Sequence, residues 1–252
     1  MKVVIIGAGN VATHIAKALK AVNVQISQVW SYHYENALLL ANEINAIAVK
    51  DLAELDNDAD IYLISVKDDA IAELVKHLSL CKGIIVHTSG SVNIDVFVDL
   101  TAYGVFYPLQ TFSKNKEVDF SNIPLCLEAN DGKTLAILKD VASRLSNNVL
   151  EVSSEKRKIL HLAAVFACNF TNHLYAMADE ILKANELAFD IIRPLIAETA
   201  NKVQNALPAE VQTGPAIRED KETIEKHEEL LKNQPELLEI YKTLSESIKK
   251  TR

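Results

Sequence analysis

Several groups of residues in this 252-residue chain have types and spacing suited to chemistry. The first is Gly7-Ala8-Gly9-Asn10-Val11-Ala12, directly after the apolar run Val3-Val4-Ile5-Ile6. It reads GxGxxA, a variant of the dinucleotide-binding fingerprint. Gly7 permits the tight turn, Gly9 lets a pyrophosphate lie against the backbone, and Ala12 lets a helix pack close to a sheet. The N–H groups that open this helix, Asn10 and Val11 among them, can face phosphates. The alternative is a tight strand–helix turn with no ligand.

The second group is Ser31-Tyr32-His33, after the second apolar run. NAD sites usually carry an acid there for the ribose 2′-hydroxyl. None is present, and Glu35 falls in the next helix, which favours NADP over NAD. No arginine is available for a 2′-phosphate either, so both cofactors stay open, with Ser31 and Tyr32 as the contacts.

The third group is His87-Thr88-Ser89-Gly90-Ser91, whose hydroxyl and imidazole groups suit hydrogen bonds to a nicotinamide amide or a substrate oxygen. A polar turn capping a helix is the alternative. Gln110 and Thr111, after a Pro108 that ends a strand, can meet substrate. His161, Asn169 and Asn172 fall within an arc of about 80° on an α-helical wheel, among apolar neighbours. A histidine there can give or take a proton near neutral pH. Structural polar residues at an interface are the alternative. Arg218 can clamp a carboxylate. Asp220 either meets substrate or caps the helix after it.

The elements that must position these residues alternate over the first 150 positions. Strands are expected at 3–6, 24–30, 46–49, 61–66 and 84–87, with helices at 10–21, 35–44 and 69–78. Further strands at 104–107, 124–127 and 149–152 extend the sheet, with a helix at 133–145. Ser154 is the expected cap of an unbroken helix reaching about residue 184. Helices at 189–206, 220–233 and 235–250 follow, with no strand after Val152. The expected fold is α/β: a Rossmann-type, doubly wound, mostly parallel sheet over 1–152, then an all-helical substrate or dimerisation domain over 153–252.

The totals exclude some functions. A formal net charge of -8 argues against nucleic acid and anionic membranes as partners. No apolar run approaches the roughly 20 residues needed to span a bilayer. Cys81, Cys126 and Cys168 lie far apart and read as buried, reduced thiols, which fits the cytoplasm. No CxxC, HxH or HxxxH spacing occurs, so no metal site is expected.

Six phrases now stand in order: the glycine motif; Val66-Lys67-Asp68-Asp69-Ala70-Ile71; His87–Ser91; Tyr107-Pro108-Leu109-Gln110-Thr111-Phe112; His161–Phe170; and Thr213-Gly214-Pro215-Ala216-Ile217-Arg218-Glu219-Asp220. Together they resemble a bacterial family with a Rossmann-like N-terminal domain and a C-terminal domain of unknown function. That family is similar to coenzyme F420-dependent NADP reductases, pyrroline-5-carboxylate reductases, ketopantoate reductases and 6-phosphogluconate dehydrogenases. The resemblance implies a nicotinamide cofactor, backbone at Val66 and Lys67 along it, and a helical domain often used for homodimers. It also places His161 where ketopantoate and hydroxyacid reductases carry a lysine.

These readings converge on an NAD(P)-dependent oxidoreductase acting on a small carbonyl, hydroxyl or imine compound. His161 and Asn169 would be catalytic. Ser89, Gln110, Asn172, Arg218 and Asp220 would hold substrate, and Gly7, Gly9, Asn10, Val11, Ser31, Tyr32, Val66, Lys67, His87 and Thr88 would hold cofactor. A non-catalytic dinucleotide-binding regulator or scaffold is the alternative.

Overall fold

Alternate residues of the first strand, β1 (Lys2–Ile6), enter two separate cores. Val3 and Ile5 pack on one face of the sheet and Val4 and Ile6 on the other, all at most 1% exposed. Strand side chains alternate in direction, so an unbroken apolar run needs both faces covered. The computed structural model describes residues 1–250. In it β1 is joined by β2 (Gln25–Trp30), β3 (Ile47–Val49), β4 (Ile61–Ile64), β5 (Ile84–His87), β6 (Tyr103–Pro108), β7 (Leu125–Ala129) and β8 (Val149–Glu151). The order across the sheet is β3-β2-β1-β4-β5-β6-β7-β8. The pairings from β3 to β6 are parallel, β7 runs antiparallel to β6, and β8 is parallel to β7.

The winding reverses between β1 and β4, which leaves a crevice beyond their carboxyl ends. The crossover helices are α1 (Asn10–Ala21), α2 (Tyr34–Ile44), α3 (Asp68–Val75) and α4 (Gly132–Ser143), and after β8 comes α5 (Ser154–Ala164). This doubly wound α/β architecture is the expected one, with strands within a few residues of the expected positions.

The chain forms two compact units, Met1–Asn169 and the residues from Phe170 on. The second contains α6 (Thr171–Ala184), α7 (Arg193–Asn205), α8 (Lys221–Leu230) and α9 (Pro235–Lys249), with no strand among the described residues. Three expectations need correction. The helix expected to run unbroken from Ser154 to Ala184 is interrupted by a π-helical stretch at Val165–Phe170. The cap of α5 is Ser153, whose hydroxyl accepts from Lys156 N–H; Ser154 is instead drawn to Glu128. Only Cys126 is buried: Cys81 is half-buried and Cys168 exposed. No helix among the described residues is long and apolar enough to cross a membrane.

An ionic knot fixes α5 on the sheet. Arg157 is fully buried, and its Nη1 donates to Glu128 of β7 at 2.5 Å. Its Nη2 donates to the Val92 carbonyl at 2.5 Å and to the Ser154 hydroxyl at 3.1 Å. Glu128 also accepts from the Ser154 N–H and hydroxyl, and Ser154 Oγ accepts from Ile94 N–H. One guanidinium thereby ties the first turn of α5 to β7 and to the segment after β5. Removing one partner of such a pair strands the other charge in a dry site. Glu128→Ala is expected to lower unfolding stability by about 3–5 kcal/mol in urea titrations; a loss below about 1 kcal/mol would contradict this account.

Candidate active site

The loops at the carboxyl edge of the sheet start level with one another. Gly7 N–H donates to the Trp30 carbonyl at 2.7 Å, Ser65 N–H to Ile6 at 2.7 Å, and Thr88 N–H to Ile64 at 3.0 Å. Each bond carries the sheet ladder one residue past its strand. Gly7 has φ +124°, and a Cβ there would lie 2.0 Å from the Ser65 carbonyl oxygen. Only glycine fits, in conformation and in space. Gly9 differs: its backbone is extended, and a Cβ would meet nothing within 4 Å, because the position faces an open cleft. Gly9 is the N-cap of α1 and offers no side-chain cap, and the first turn carries no acid. The opening N–H groups of α1 and its positive dipole end therefore point outward without a side-chain partner.

The cleft holds about 910 Å³ and is lined by Gly7 to Val11, Ser31 to His33, Ser65 to Asp68, Ala70, Thr88 to Gly90, Tyr107, Pro108, Gln110 and His161. It therefore brings together Gly7, Gly9, Asn10, Val11, Ser31, Tyr32, Val66, Lys67, Thr88, Ser89, Gln110 and His161 from the sequence reading. The Asn10 amide donates to the Phe112 carbonyl at 2.9 Å and holds the segment after β6 against α1. His14, one turn further along α1, contacts the Ser113 carbonyl with Nε2 at 2.9 Å. At the far end the His161 ring lies against Gly90 and Tyr107, with Nδ1 2.9 Å from the Tyr107 hydroxyl. Burial pushes that phenol up to about 12. Asp68, in the first turn of α3, accepts a hydrogen bond from the Ser91 hydroxyl.

Five expected site residues are not on this wall. His87 is 0% exposed, its ring packs on Phe97, and its Nδ1 accepts from Ser89 N–H at 3.1 Å. It shapes the loop beneath the cleft and cannot touch a cofactor, because it points into the core as the last residue of a doubly covered strand. Asn169 is exposed and lies in the π-helical stretch, so the 100° wheel that grouped it with His161 and Asn172 does not apply through it. Asn172, Arg218 and Asp220 belong to the second unit. Asn172 lines a pocket of about 330 Å³ there, with Tyr175, Asp179, Phe189 and Arg193. Arg218 is exposed in a turn. Asp220 caps α8, its carboxylate accepting from Thr223 N–H and hydroxyl at 3.1 and 2.8 Å, which also holds its pKa low.

Two residues escaped sequence reasoning. Tyr107 had a visible signal, as the last aromatic of an apolar strand just before Pro108. Arg157 had none, because a single arginine in a charged helix start reads as solvated.

Three comparisons bear on this geometry. A family model for a Rossmann-like domain matches residues 1–111, and one for the "Domain of unknown function (DUF2520)" matches residues 123–248. A candidate NADP oxidoreductase from Bacteroides fragilis is 48% identical with a TM-score of 0.94, covering 99% of this chain and 98% of that one. A Thermotoga maritima protein is 23% identical with a TM-score of 0.74, over 99% of this chain and 97% of that one. An imine reductase from Myxococcus stipitatus, solved with NADP+, is 16% identical with a TM-score of 0.65, over 99% and 92%. The last two share the fold. None of the curated proteins compared with the chain matches it.

The burial of His87 has a measurable consequence. Burial first, and the nearby Arg157 charge second, push its imidazole from the ordinary 6.5 down to about 3. Between those values the unfolded chain binds a proton that the folded chain refuses, so stability falls as pH drops from about 6.5 toward 3. This one group contributes a slope of at most about 1.4 kcal/mol per pH unit. His87→Leu should flatten the pH dependence of urea unfolding by one proton across that window; an unchanged slope would place the loss elsewhere.

Proposed function

We infer the function from one premise: the chain belongs to the family that joins a Rossmann-like domain to the domain of unknown function (DUF2520). We propose that it is an NAD(P)-dependent oxidoreductase acting on a small carbonyl, hydroxyl or imine compound. One observation carries the reading. A single cleft contains an uncapped helix start beside Gly7 and Gly9 and, elsewhere on its wall, the imidazole of His161.

The residues present fit a dinucleotide. A Cβ at Gly7 would strike the Ser65 carbonyl, the space over Gly9 is open, and the α1 N–H groups are available for a pyrophosphate. Ser31 and Tyr32 would hold the ribose next to the adenine, and Val66, Lys67 and Thr88 would line the remainder. The bound dinucleotide would supply or take a hydride at the substrate carbon. His161 would hydrogen-bond the substrate heteroatom that gains a proton in reduction and loses one in oxidation, with Ser89 and Gln110 orienting the substrate. The absence of an acid among Ser31, Tyr32 and His33 supports NADP over NAD. The printed description of the Bacteroides fragilis relative points the same way.

We further propose a cytoplasmic homodimer formed through the helical unit. No residue of α6, α7 or α8 is buried, and Leu174, Ile181, Ile191, Leu195 and Val203 are exposed. A unit of this size with so little core is marginal alone, and a second copy would cover those faces.

Calorimetry with NADPH and NADH tests the cofactor site. Binding is expected for the native protein, tighter for NADPH, and a loss of at least about tenfold in Gly9→Ala with stability changed by less than about 0.5 kcal/mol. His161→Ala should still bind, yet lose about 10²–10⁴-fold in turnover across a panel of cyclic imines and α-keto acids. No heat with either nucleotide would end the reading. Light scattering should give twice the 27.9 kDa chain mass; a monomer at micromolar concentration would remove the dimer.

A further inference from the structure

Two neighbours dictate how the His161 ring is held. The Tyr107 hydroxyl lies 2.9 Å from Nδ1, with the two rings edge-on at 75° and centroids 5.9 Å apart. On the other contact, a Cβ at Gly90 would fall 2.6 Å from the imidazole Cγ and Nδ1. Glycine is thus the residue that leaves room for the ring, and Cγ and Nδ1 are the atoms that are hemmed in. Nε2 lies on the opposite edge with no hydrogen-bond partner among the described residues, and the residue lines the cleft.

The phenol bears on which nitrogen carries the proton. Tyr107 is 8% exposed, and burial keeps its hydroxyl protonated well beyond neutral pH. A buried hydroxyl needs an acceptor. The group beside it is Nδ1 of His161. If Nδ1 carried the hydrogen, the phenol oxygen would accept it and the phenol hydrogen would have to find its acceptor in the open cleft. If Nδ1 is bare, both groups are satisfied and the hydrogen resides on Nε2. The helix under this arrangement does not drift, because Arg157 anchors α5 one turn before His161.

We propose that Tyr107 and Gly90 are positioning residues that lock neutral His161 as the Nε2–H tautomer. This makes the cleft a fixed hydrogen-bond donor for a substrate atom with a free lone pair: a carbonyl oxygen or an unprotonated imine nitrogen. The substrate part rests on the reading of the cleft as a dinucleotide-dependent site; the tautomer does not. A protonated iminium nitrogen, which has no lone pair, cannot accept from this donor.

Nitrogen-15 spectra of histidine-labelled protein test the inference directly, with His161→Gln identifying the signals and the pH set about two units above the usual histidine value. The native protein is expected to show a protonated Nε2 and a hydrogen-bonded, unprotonated Nδ1 for His161. Tyr107→Phe should leave Nε2 protonated and move Nδ1 to the position of a nitrogen without a donor, and Gly90→Ala should shift both signals. Protonated Nδ1 in the native protein, or an Nδ1 signal unmoved in Tyr107→Phe, overturns the proposal. With the imine and keto-acid panel, Tyr107→Phe should lose about tenfold in kcat at unchanged KM for NADPH, less than removal of His161 itself. Failure to bind NADPH would end the functional reading and leave the tautomer result standing, so the two failures are distinguishable.

Discussion

The contact on which the site depends is the approach of Gly7 to the Ser65 carbonyl, where a Cβ would lie 2.0 Å from the oxygen. β1 and β4 are adjacent parallel strands, in register from Val3 opposite Ile61 to Ile6 opposite Ile64. Their exits are therefore neighbours, and two chains must leave the sheet through a space meant for one. The left-handed conformation at Gly7 turns the first chain aside, and the missing side chain lets the second pass. Because the turn is so tight, α1 begins at Asn10, four residues after the strand ends, with its N–H groups still over the sheet edge. A looser turn would carry the helix start away from the crevice at the reversal of winding.

The other end of the cleft is built by a different device. His161 comes from a helix beyond the last strand, so sheet register cannot place it. It is placed by the buried Arg157–Glu128 pair, which exists because the sheet continues past β6 with the antiparallel β7. Glu128 also accepts from both the N–H and the hydroxyl of Ser154. A buried ion pair is weak evidence for net stability, since desolvation opposes the attraction. Its geometric effect is the stronger one: a guanidinium with partners on β7, on Ser154 and on the Val92 carbonyl allows α5 one seat.

Much of this was legible in the sequence because it follows from period and punctuation. The apolar runs of β1, β4 and β5 are short, and the glycine motif stands between strand and helix, so both the fold class and the tight turn into α1 could be read. The direction of β7 was not, because a buried run such as Pro124–Leu127 looks alike in either sense. His87 was misread because chain position shows that it ends a strand, while only packing shows that Phe97 closes over it. The π-helical stretch leaves no signature in composition, and it spoils a wheel drawn at one angle from His161 to Asn172. Arg157 was invisible for the reason that makes it important: the carboxylate that neutralises it sits 29 residues away and the carbonyl it also binds 65 away.

A reaction class can be read from this chain more readily than a substrate, and the lining of the cleft explains why. The features that carry the dinucleotide proposal are backbone features: N–H groups, a glycine turn and loop ends set by the sheet. Such features depend on spacing, and spacing is written in sequence. Among the residues lining the cleft, Lys67 is the one lysine and Asp68 the one carboxylate, and Asp68 is already engaged by Ser91. No arginine lines it to single out a carboxylate or phosphate on a substrate. What remains near His161 is hydroxyl, amide and imidazole, groups that orient a polarised carbon–heteroatom bond without selecting the rest of the molecule. On the proposed reading the first unit carries hydride and proton exchange, and selectivity comes from groups other than these.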